Sequence, residues 1–413
     1  MRSLLGRFHR PNARSQSQQL FMLNSLGDGS TLSLDFTTGV LDPRLTFTRS
    51  TTGTYINSSG YVTSAAINAP RFDYDLTTLT PRGLLIEGSA SNLLTYSEDQ
   101  GNNTTWSAFG TSVTRTTGQT DPGNNSTATK LVFDATATDA VISRSVTVLN
   151  ATQYTISMWM RADSGTVTNV RFARAAGSAG AIFPTLTTAW QRVSLTFTSS
   201  TTSDGIEIRV LNAGSPKTAT VHLWGAQLEA GSGASSYIPT GASAGNRAAD
   251  SCVMTGTNFS SWFAGATEGV LYSEFEKPRS QSGTIGHDHV AVGSRYSSGS
   301  AFVVYAAASV YYPTTLIWPT GGAIFPGGIA SAIPSISKQA GKWFGGNDAT
   351  NFANGVQGTT SAGTGTLTPT MLSIGANSAT GTEATRDWLN ACVRRVKFWP
   401  TALPDSQVIS ITT

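Results

Sequence analysis

Two acidic residues of one predicted strand, Glu274 and Glu276 in "YSEFEKP", have the spacing of a glycosidase pair. Side chains two residues apart on a strand share a face and lie roughly 7 Å apart, and glycosidases hold their two carboxyl groups roughly 5–9 Å apart. No third acid follows on this strand, and Lys277 and Arg279 lie beside the pair. We therefore interpret the pair as solvent-facing and predict no catalytic residue and no enzymatic activity, with polysaccharide cleavage as the alternative.

His287 and His289 of "HDH" would place two imidazoles on one side of a short strand. Such pairs bind transition metals, but no third ligand follows nearby, so exposed polar residues are the preferred interpretation. The sequence also lacks a P-loop and a dinucleotide-binding fingerprint. We predict no cofactor and no metal, with these two histidines as the candidates if a metal is bound.

Aromatic residues in the loop-like segments "VYYPTTLIWP" and "KWFGGNDATN" are the candidates for holding a sugar. A sugar stacks its C–H face on an exposed ring while polar groups hold its hydroxyls, and loops commonly carry such residues. The predicted glycan-binding residues are Tyr311, Tyr312, Trp318, Trp343, Asn347 and Asp348. Packing of these rings in a core or in a subunit interface is the alternative.

The strands that would position these loops alternate with a period of two. In "YTISMWMRA", Tyr154, Ile156, Met158 and Met160 share one face, and "WQRVSLTFTSS", "IEIRVLN" and "ATVHLWGAQLE" alternate in the same way. Strands with one apolar face, separated by Gly/Ser/Thr loops, are typical of an antiparallel β-sandwich. We predict that three tryptophans of these segments are core residues: Trp159, Trp190 and Trp224.

Turn-rich stretches divide the rest of the chain. Residues 230–250 are small and nearly charge-free, which predicts a flexible linker. Residues 31–92 contain short strands and are predicted to form a compact β subdomain, while residues 241–413 form a second sandwich with a hairpin at Asn354 and a helix after Pro404. The sequence therefore predicts an all-β protein with two tandem antiparallel β-sandwich (jelly-roll) domains, which excludes βαβ architectures.

Charge is scarce and unevenly placed. Only 12% of the residues are charged, against a usual quarter. The net charge is +3, but Arg2, Arg7, Arg10 and Arg14 give the first 14 residues +4, so the remainder carries −1. A neutral body has no field for nucleic acid, and a basic arm indicates docking to an acidic partner. We expect these four arginines to anchor the protein to that partner, with a solvated terminal tail as the alternative.

Neither export nor membrane insertion is indicated. Arg7 interrupts the first apolar run before a signal sequence could form, and prolines break the most apolar stretch, residues 301–319, below the roughly 18 residues of a membrane span. Cys252 and Cys392 are the two cysteines. They are either a disulfide that joins the ends of the last domain or two buried thiols.

Three segments carry a family resemblance: "GLLIEGSASNLLTYSED", "WQRVSLTFT" and "VHLWGAQLEAGSGASSYIPTG". Together with "LNACVRRVKFWPTALPDSQV" near the end, they resemble bacteriophage virion proteins of the tail-fibre and minor structural type. In those proteins a carbohydrate-binding-module-like jelly roll precedes a concanavalin A-like (laminin-G-like) lectin domain. The resemblance covers about residues 80–413.

The resemblance implies a homotrimeric structural protein of the phage particle, on the virion surface after assembly in the bacterial cytoplasm. It would bind host-surface polysaccharide as a tail fibre or spike, with a head fibre or capsid decoration protein as the alternative. We expect an anchoring arm (residues 1–30) and an attachment subdomain (31–92), which dock to other phage proteins. A carbohydrate-binding-module-like sandwich (93–240) and a lectin sandwich (241–413) would follow.

Overall fold

The computed structural model describes most of the chain after residue 26. The described residues are 27–108, 112–177, 180–214, 217–276, 329, 334–345, 348–363, 369–376 and 388–413, together with the backbone of three strands at 287–293, 301–306 and 313–318. The predicted anchoring residues Arg2, Arg7, Arg10 and Arg14 lie outside these ranges, as do Tyr311, Tyr312 and Asn347. The side chains of Trp318, His287 and His289 also lie outside what is described.

Antiparallel strands dominate the described chain, which confirms the all-β prediction. The strands are β1 Leu32–Asp35, β2 Thr46–Thr48, β3 Gly53–Ile56, β4 Val62–Ala65, β5 Phe72–Tyr74, β6 Pro81–Ile86, β7 Ala90–Asn92, β8 Ser107–Ala108, β9 Val113–Gln119, β10 Ala128–Ala135, β11 Ala140–Thr147, β12 Gln153–Ala162, β13 Val170–Arg174, β14 Gln191–Thr198, β15 Ser203–Val210, β16 Lys217–Ala230, β17 Gly245–Arg247, β18 Ser251–Thr255, β19 Gly269–Glu276, β20 His287–Gly293, β21 Ala301–Ala306, β22 Pro313–Trp318, β23 Ile336–Phe344, β24 Asp348–Ala353, β25 Val356–Ser361, β26 Met371–Ile374 and β27 Ala391–Trp399. The helices are a 3-10 turn Phe36–Thr38, α1 Gly256–Phe263 and α2 Asp405–Thr412.

The first sandwich packs a five-stranded sheet, in the order β14-β12-β16-β10-β9, on a four-stranded sheet, β13-β15-β11-β8. Its core contains the apolar residues predicted from alternation, such as Ile156 and Met158 of β12 and Ile208 of β15. Each of these three side chains is fully buried. The period-two pattern therefore identified the inward face correctly.

The second sandwich packs an eight-stranded sheet on a six-stranded one. The first runs β25-β24-β23-β19-β27-β6-β5, with β1 also on β27, and the second runs β2-β18-β26-β20-β21-β22. Large aromatic side chains fill the core between them, among them Trp262, Phe275, Trp343 and Phe398.

Residues 31–92 do not form the separate subdomain that the sequence predicted. Strands β1 and β6 pair along one edge of β27, whose other edge pairs with β19, and β2 pairs with β18. The first sandwich is thus inserted between two parts of the second. The expectation is wrong because strand pairing across some 300 residues leaves no mark on local composition.

The boundary of the predicted arm at residue 30 is also wrong. Asp28 Oδ2 accepts a hydrogen bond from Lys397 Nζ at 2.7 Å, and its carbonyl accepts one from Trp399 Nε1 at 2.9 Å. Residues 28–30 therefore belong to the second sandwich.

Residues 230–250 are an ordered connection rather than a flexible linker. Ser235, Ser236, Tyr237 and Ile238 are buried. The Ser235 amide donates to Glu229 Oε1 at 2.8 Å, and the Ile238 amide donates to the Gln227 side chain at 2.8 Å. Small polar residues suit a buried, hydrogen-bonded crossing as well as a loose one, so composition alone misassigned this segment.

A buried ionic network lies where both connections between the sandwiches meet. Arg71 contacts Glu87 at 2.8 Å and Asp250 at 2.5 Å, and Arg49 contacts Asp250 at 3.1 Å. All four side chains have no solvent exposure. Because Glu87 follows β6 and Asp250 follows β17, the network joins the chain entering the first sandwich to the chain leaving it.

Local predictions for the second sandwich hold. Asn354 and Gly355 have φ angles of 49° and 79° between β24 and β25, as a type I′ hairpin requires, and α2 begins after Pro404. Cys252 and Cys392 are buried on different sheets and form no disulfide with each other, which confirms the buried-thiol alternative. Helix α1 was missed because its sequence has few strong helix formers; burial of Phe259, Trp262 and Phe263 holds it in place.

Candidate functional site

Two of the predicted glycan-binding residues are described with their side chains. Trp343 is fully buried in strand β23, with its ring 5.6 Å from that of Phe398, so its assignment to an exposed loop is wrong. Strand β23 extends to Phe344, directly before the glycines of "KWFGGNDATN" that suggested a loop. The alternation of inward and outward side chains along this strand directs Trp343 into the core. Asp348 begins β24, is half-buried, and accepts a hydrogen bond from the Gly363 amide at 3.2 Å.

The two acidic residues of β19 are held by arginines. Glu274 accepts from Arg394 Nε at 2.9 Å and from Arg395 Nη1 at 2.8 Å, and Glu276 accepts from Arg82 Nε at 2.8 Å. Glu274 is 5% exposed, so the expectation of a solvent-facing pair is wrong for it. Both carboxylates serve ion pairs that tie β19 to β27 and β6.

No metal centre is built by the described residues. Among them, no group of three or more His, Cys, Asp or Glu side chains could hold an ion. In the same part of the chain, no helix has both the length and the apolar character needed to cross a membrane.

The outer face of the five-stranded sheet carries two rows of large side chains. In the first row Trp159 of β12 is paired with Trp224 of β16. Ile56 and Val62 of the β3–β4 hairpin pack against the cluster that contains both rings, and so does Trp190. These two tryptophans are buried, as predicted. They lie at the junction with the hairpin, however, and not between the sheets of the first sandwich.

The second row is only partly covered and is the candidate site. Arg161 of β12 is paired with His222 of β16, which is paired in turn with Lys130 of β10. Trp190, which precedes β14, is half-buried, with the Arg161 guanidinium 5.3 Å from its ring centroid. Asp163 follows β12 at the same end of the sheet. We call Lys130, Arg161, Asp163, Trp190 and His222 the outer-face cluster.

Hydrogen bonds join the polar members of the outer-face cluster. Arg161 Nη2 lies 3.3 Å from His222 Nδ1, and His222 Nε2 lies 2.7 Å from Asp163 Oδ1. Lys130 Nζ is 3.9 Å from the same carboxylate oxygen. The His222 side chain is 3% exposed, against 37% for Asp163. The buried His222 imidazole therefore fixes the positions of the Arg161 and Asp163 side chains, which are both partly exposed to solvent.

Burial and hydrogen bonding define the protonation states of His222 and Asp163. Burial lowers the pKa of His222, so its ring is neutral at pH 7. A neutral ring with its proton on Nε2 donates to Asp163 and accepts from Arg161 at Nδ1, which fits both distances. The hydrogen bond from His222 lowers the pKa of Asp163. With Lys130 and Arg161 charged, the outer-face cluster has a net charge of about +1.

The arrangement combines a half-buried indole, which also packs against the Trp159–Trp224 cluster, with polar groups whose directions are fixed. An aromatic ring beside fixed polar groups is the chemistry that sugar binding needs. Sequence reasoning missed it because it assigned Trp190 to the core. A usable signal was present, since Arg161, His222 and Lys130 occupy the polar side of strands whose apolar alternation is clear.

Comparison with known families agrees with this chemistry. Residues 84–217 match a family model described as a carbohydrate binding domain. The match includes Lys130, Arg161, Asp163 and Trp190, while His222 follows it by five residues. This match supports carbohydrate binding. It covers about a third of the chain, and no curated protein matches the chain.

Solved structures show distant similarity. The CBM40 of a Ruminococcus gnavus sialidase, bound to α2,3-sialyllactose, is 14% identical over 36% of this chain and 84% of that chain, with a TM-score of 0.28. Domain 4 of AbnA, a Geobacillus stearothermophilus arabinanase in complex with arabinotriose, is 9% identical over 40% and 73%, with a TM-score of 0.31. These similarities are too distant to indicate a ligand.

Proposed function

We propose that this protein binds carbohydrate through the outer-face cluster. The observation that carries the proposal is the half-buried Trp190 ring beside the fixed Arg161–His222–Asp163 chain, within and next to the matched region. A sugar would stack on the indole while the flanking donors and acceptors hold its hydroxyl groups. The neighbouring hairpin, which packs on Trp159 and Trp224, would limit one side of the ligand.

At the level of the whole protein, we propose a non-enzymatic surface fibre or spike of a phage particle that binds host-surface glycan. The sequence resemblance to virion proteins supports this role, and the four arginines of the first 14 residues support docking to an acidic partner on the particle. A trimer would present several weak sites at once and so gain avidity.

Replacement of Trp190 by Ala tests the binding site. We expect Trp190→Ala to weaken glycan binding about tenfold or more, as loss of an aromatic hot-spot residue does. Phe183→Ala is the matched control, because Phe183 is a 52% exposed aromatic residue of the same sandwich outside the cluster. Screening on a glycan array followed by calorimetry measures both variants, and equal binding by Trp190→Ala and wild type would refute the site.

Deletion of residues 1–26 tests the docking role. The shortened protein keeps Asp28 and β1, so it should fold and bind glycan but fail to join phage particles. Immunogold labelling of intact particles also separates the tail from the capsid. Normal incorporation of the shortened protein would remove the anchoring proposal, and labelling confined to the capsid would favour a decoration protein.

A further inference from the structure

Resting on the proposed carbohydrate site, we propose that the outer-face cluster selects acidic polysaccharide, with sugar carboxylates as the groups it recognises. The inference depends on which charges the site leaves unmatched. It concerns the class of ligand and not whether a sugar binds.

Cationic side chains lie side by side across the strands at this site. Arg161, His222 and Lys130 are in register on β12, β16 and β10. Neighbouring strands are about 4.8 Å apart, so Arg161 and Lys130 originate about 10 Å apart with His222 between them. A glycan that crosses the strands from Trp190 would pass both cations.

Arg161 forms no ion pair with a described residue, although the charge of Asp163 acts on it from beyond ion-pair distance. Its guanidinium contacts the neutral imidazole of His222 and lies over the Trp190 ring. In the described part of the chain no carboxylate is within ion-pair distance of it. By contrast, Arg171 and Arg209 of the same sandwich both pair with Glu207. A guanidinium offers a planar fork of donors that matches a carboxylate, so a sugar carboxylate would complete this site.

The one acid of the outer-face cluster is already engaged. Asp163 Oδ1 accepts from His222 and faces Lys130 at 3.9 Å. This leaves the site with two permanent cations against one carboxylate, and partial burial of Arg161 strengthens its attraction for an anion.

The test compares each polysaccharide with its own neutral form. A panel of uronate-containing bacterial polysaccharides is presented natively and after chemical reduction of the carboxyl groups, and binding is measured by biolayer interferometry. We expect wild-type protein to prefer a native polymer at least tenfold, and to lose that preference as salt rises. Arg161→Gln should abolish the preference, and Lys130→Gln should reduce it.

Controls separate the possible failures. Lys217→Gln removes a cation elsewhere on β16 and should leave the preference unchanged, and thermal unfolding checks that each variant is folded. Trp190-dependent binding that is equal for native and reduced polymers would overturn the inference and leave the proposed function standing. Binding to no polymer would overturn both. Dextran sulfate bound as tightly as the uronates would show ion exchange without carboxylate recognition and overturn the inference.

Discussion

At the scale of single residues, His222 decides how the outer-face cluster is arranged. It is the most buried member of its hydrogen-bond chain, and its ring joins Arg161, on a neighbouring strand, to Asp163. Lys130 faces the same Asp163 carboxylate, and Trp190 meets the His222 ring in a T-shaped arrangement. Arg161 and Asp163, which would contact a ligand, are thus held in position by His222, which is buried and would make little contact with the ligand.

The titration of His222 follows from its burial. Its pKa in the folded protein should lie below 6.5, because burial disfavours the charged ring more than Asp163 stabilises it. The folded state then favours the neutral ring, so this contribution to stability is present above about pH 6.5 and is lost as pH falls through the folded pKa. NMR titration measures the pKa, with His222→Gln assigning the signal. A pKa at or above 6.5 would contradict the prediction.

At the scale of elements, a bulge in β16 lets one strand serve two cores. Ala219, Val221 and Leu223 face the core of the sandwich, then Trp224 faces outward, and Ala226 and Leu228 face the core again. The register against β12 shifts at this point. The change of phase requires Gly225, whose φ is +64°.

Gly225→Ala should therefore destabilise the protein by more than the conformational strain of about 1–2 kcal/mol. An added Cβ would lie 3.0 Å from Trp159 Cδ1, whereas a Cβ at Gly214, with φ +76°, would meet nothing within 4 Å. Gly214→Ala is the matched control, since it bears the strain alone. Unfolding free energies from denaturant titration measure both variants, and equal losses would show that contact with Trp159 is unimportant.

The ionic network between the sandwiches gives a second prediction for the elements. Arg71→Met should cost about 3–5 kcal/mol, because Glu87 and Asp250 would remain buried with too little positive charge. Arg44→Met is the control, since Arg44 pairs with Asp42 at a partly exposed position and should cost under about 1 kcal/mol. Denaturant unfolding compares them, and similar losses would mean that the network does not stabilise the junction.

At the scale of the whole molecule, the second sandwich needs both ends of the described chain. Its central strand β27 pairs with β1 and β6, which precede the first sandwich, and β7 pairs with β17 across the insertion. The first sandwich is thus an insertion whose two connections run side by side. This places the candidate site on a unit held at two points and not at the end of a flexible linker.

Two shortened proteins test this architecture. Residues 241–413 alone lack β1 and β6, so they should aggregate or remain unfolded, because the edge of β27 and part of the core are exposed. A chain in which a short Gly/Ser loop replaces residues 94–243 should fold, since Asn92 and Gly245 are already paired. Circular dichroism and size-exclusion chromatography measure both. Cooperative folding of residues 241–413 alone would contradict the shared-sheet architecture.

The sequence by itself determined what local sterics and alternation control. The inward faces of β12, β14, β15 and β16, the Asn354 turn and the helix after Pro404 follow from near neighbours, because period-two burial and turn conformation depend on few consecutive residues. The all-β class follows from the same signals. These features could be predicted without knowledge of which strand pairs with which.

Only the tertiary structure decided which distant segments meet. Lys130, Arg161, Trp190 and His222 are each about thirty residues apart in the chain, and only the pairing of four strands, β10, β16, β12 and β14, brings them together. The same holds for β1 and β6 on β27, and for Trp343, whose burial depends on rings from other elements. Pairing and packing are non-local, so composition and spacing carry no record of them.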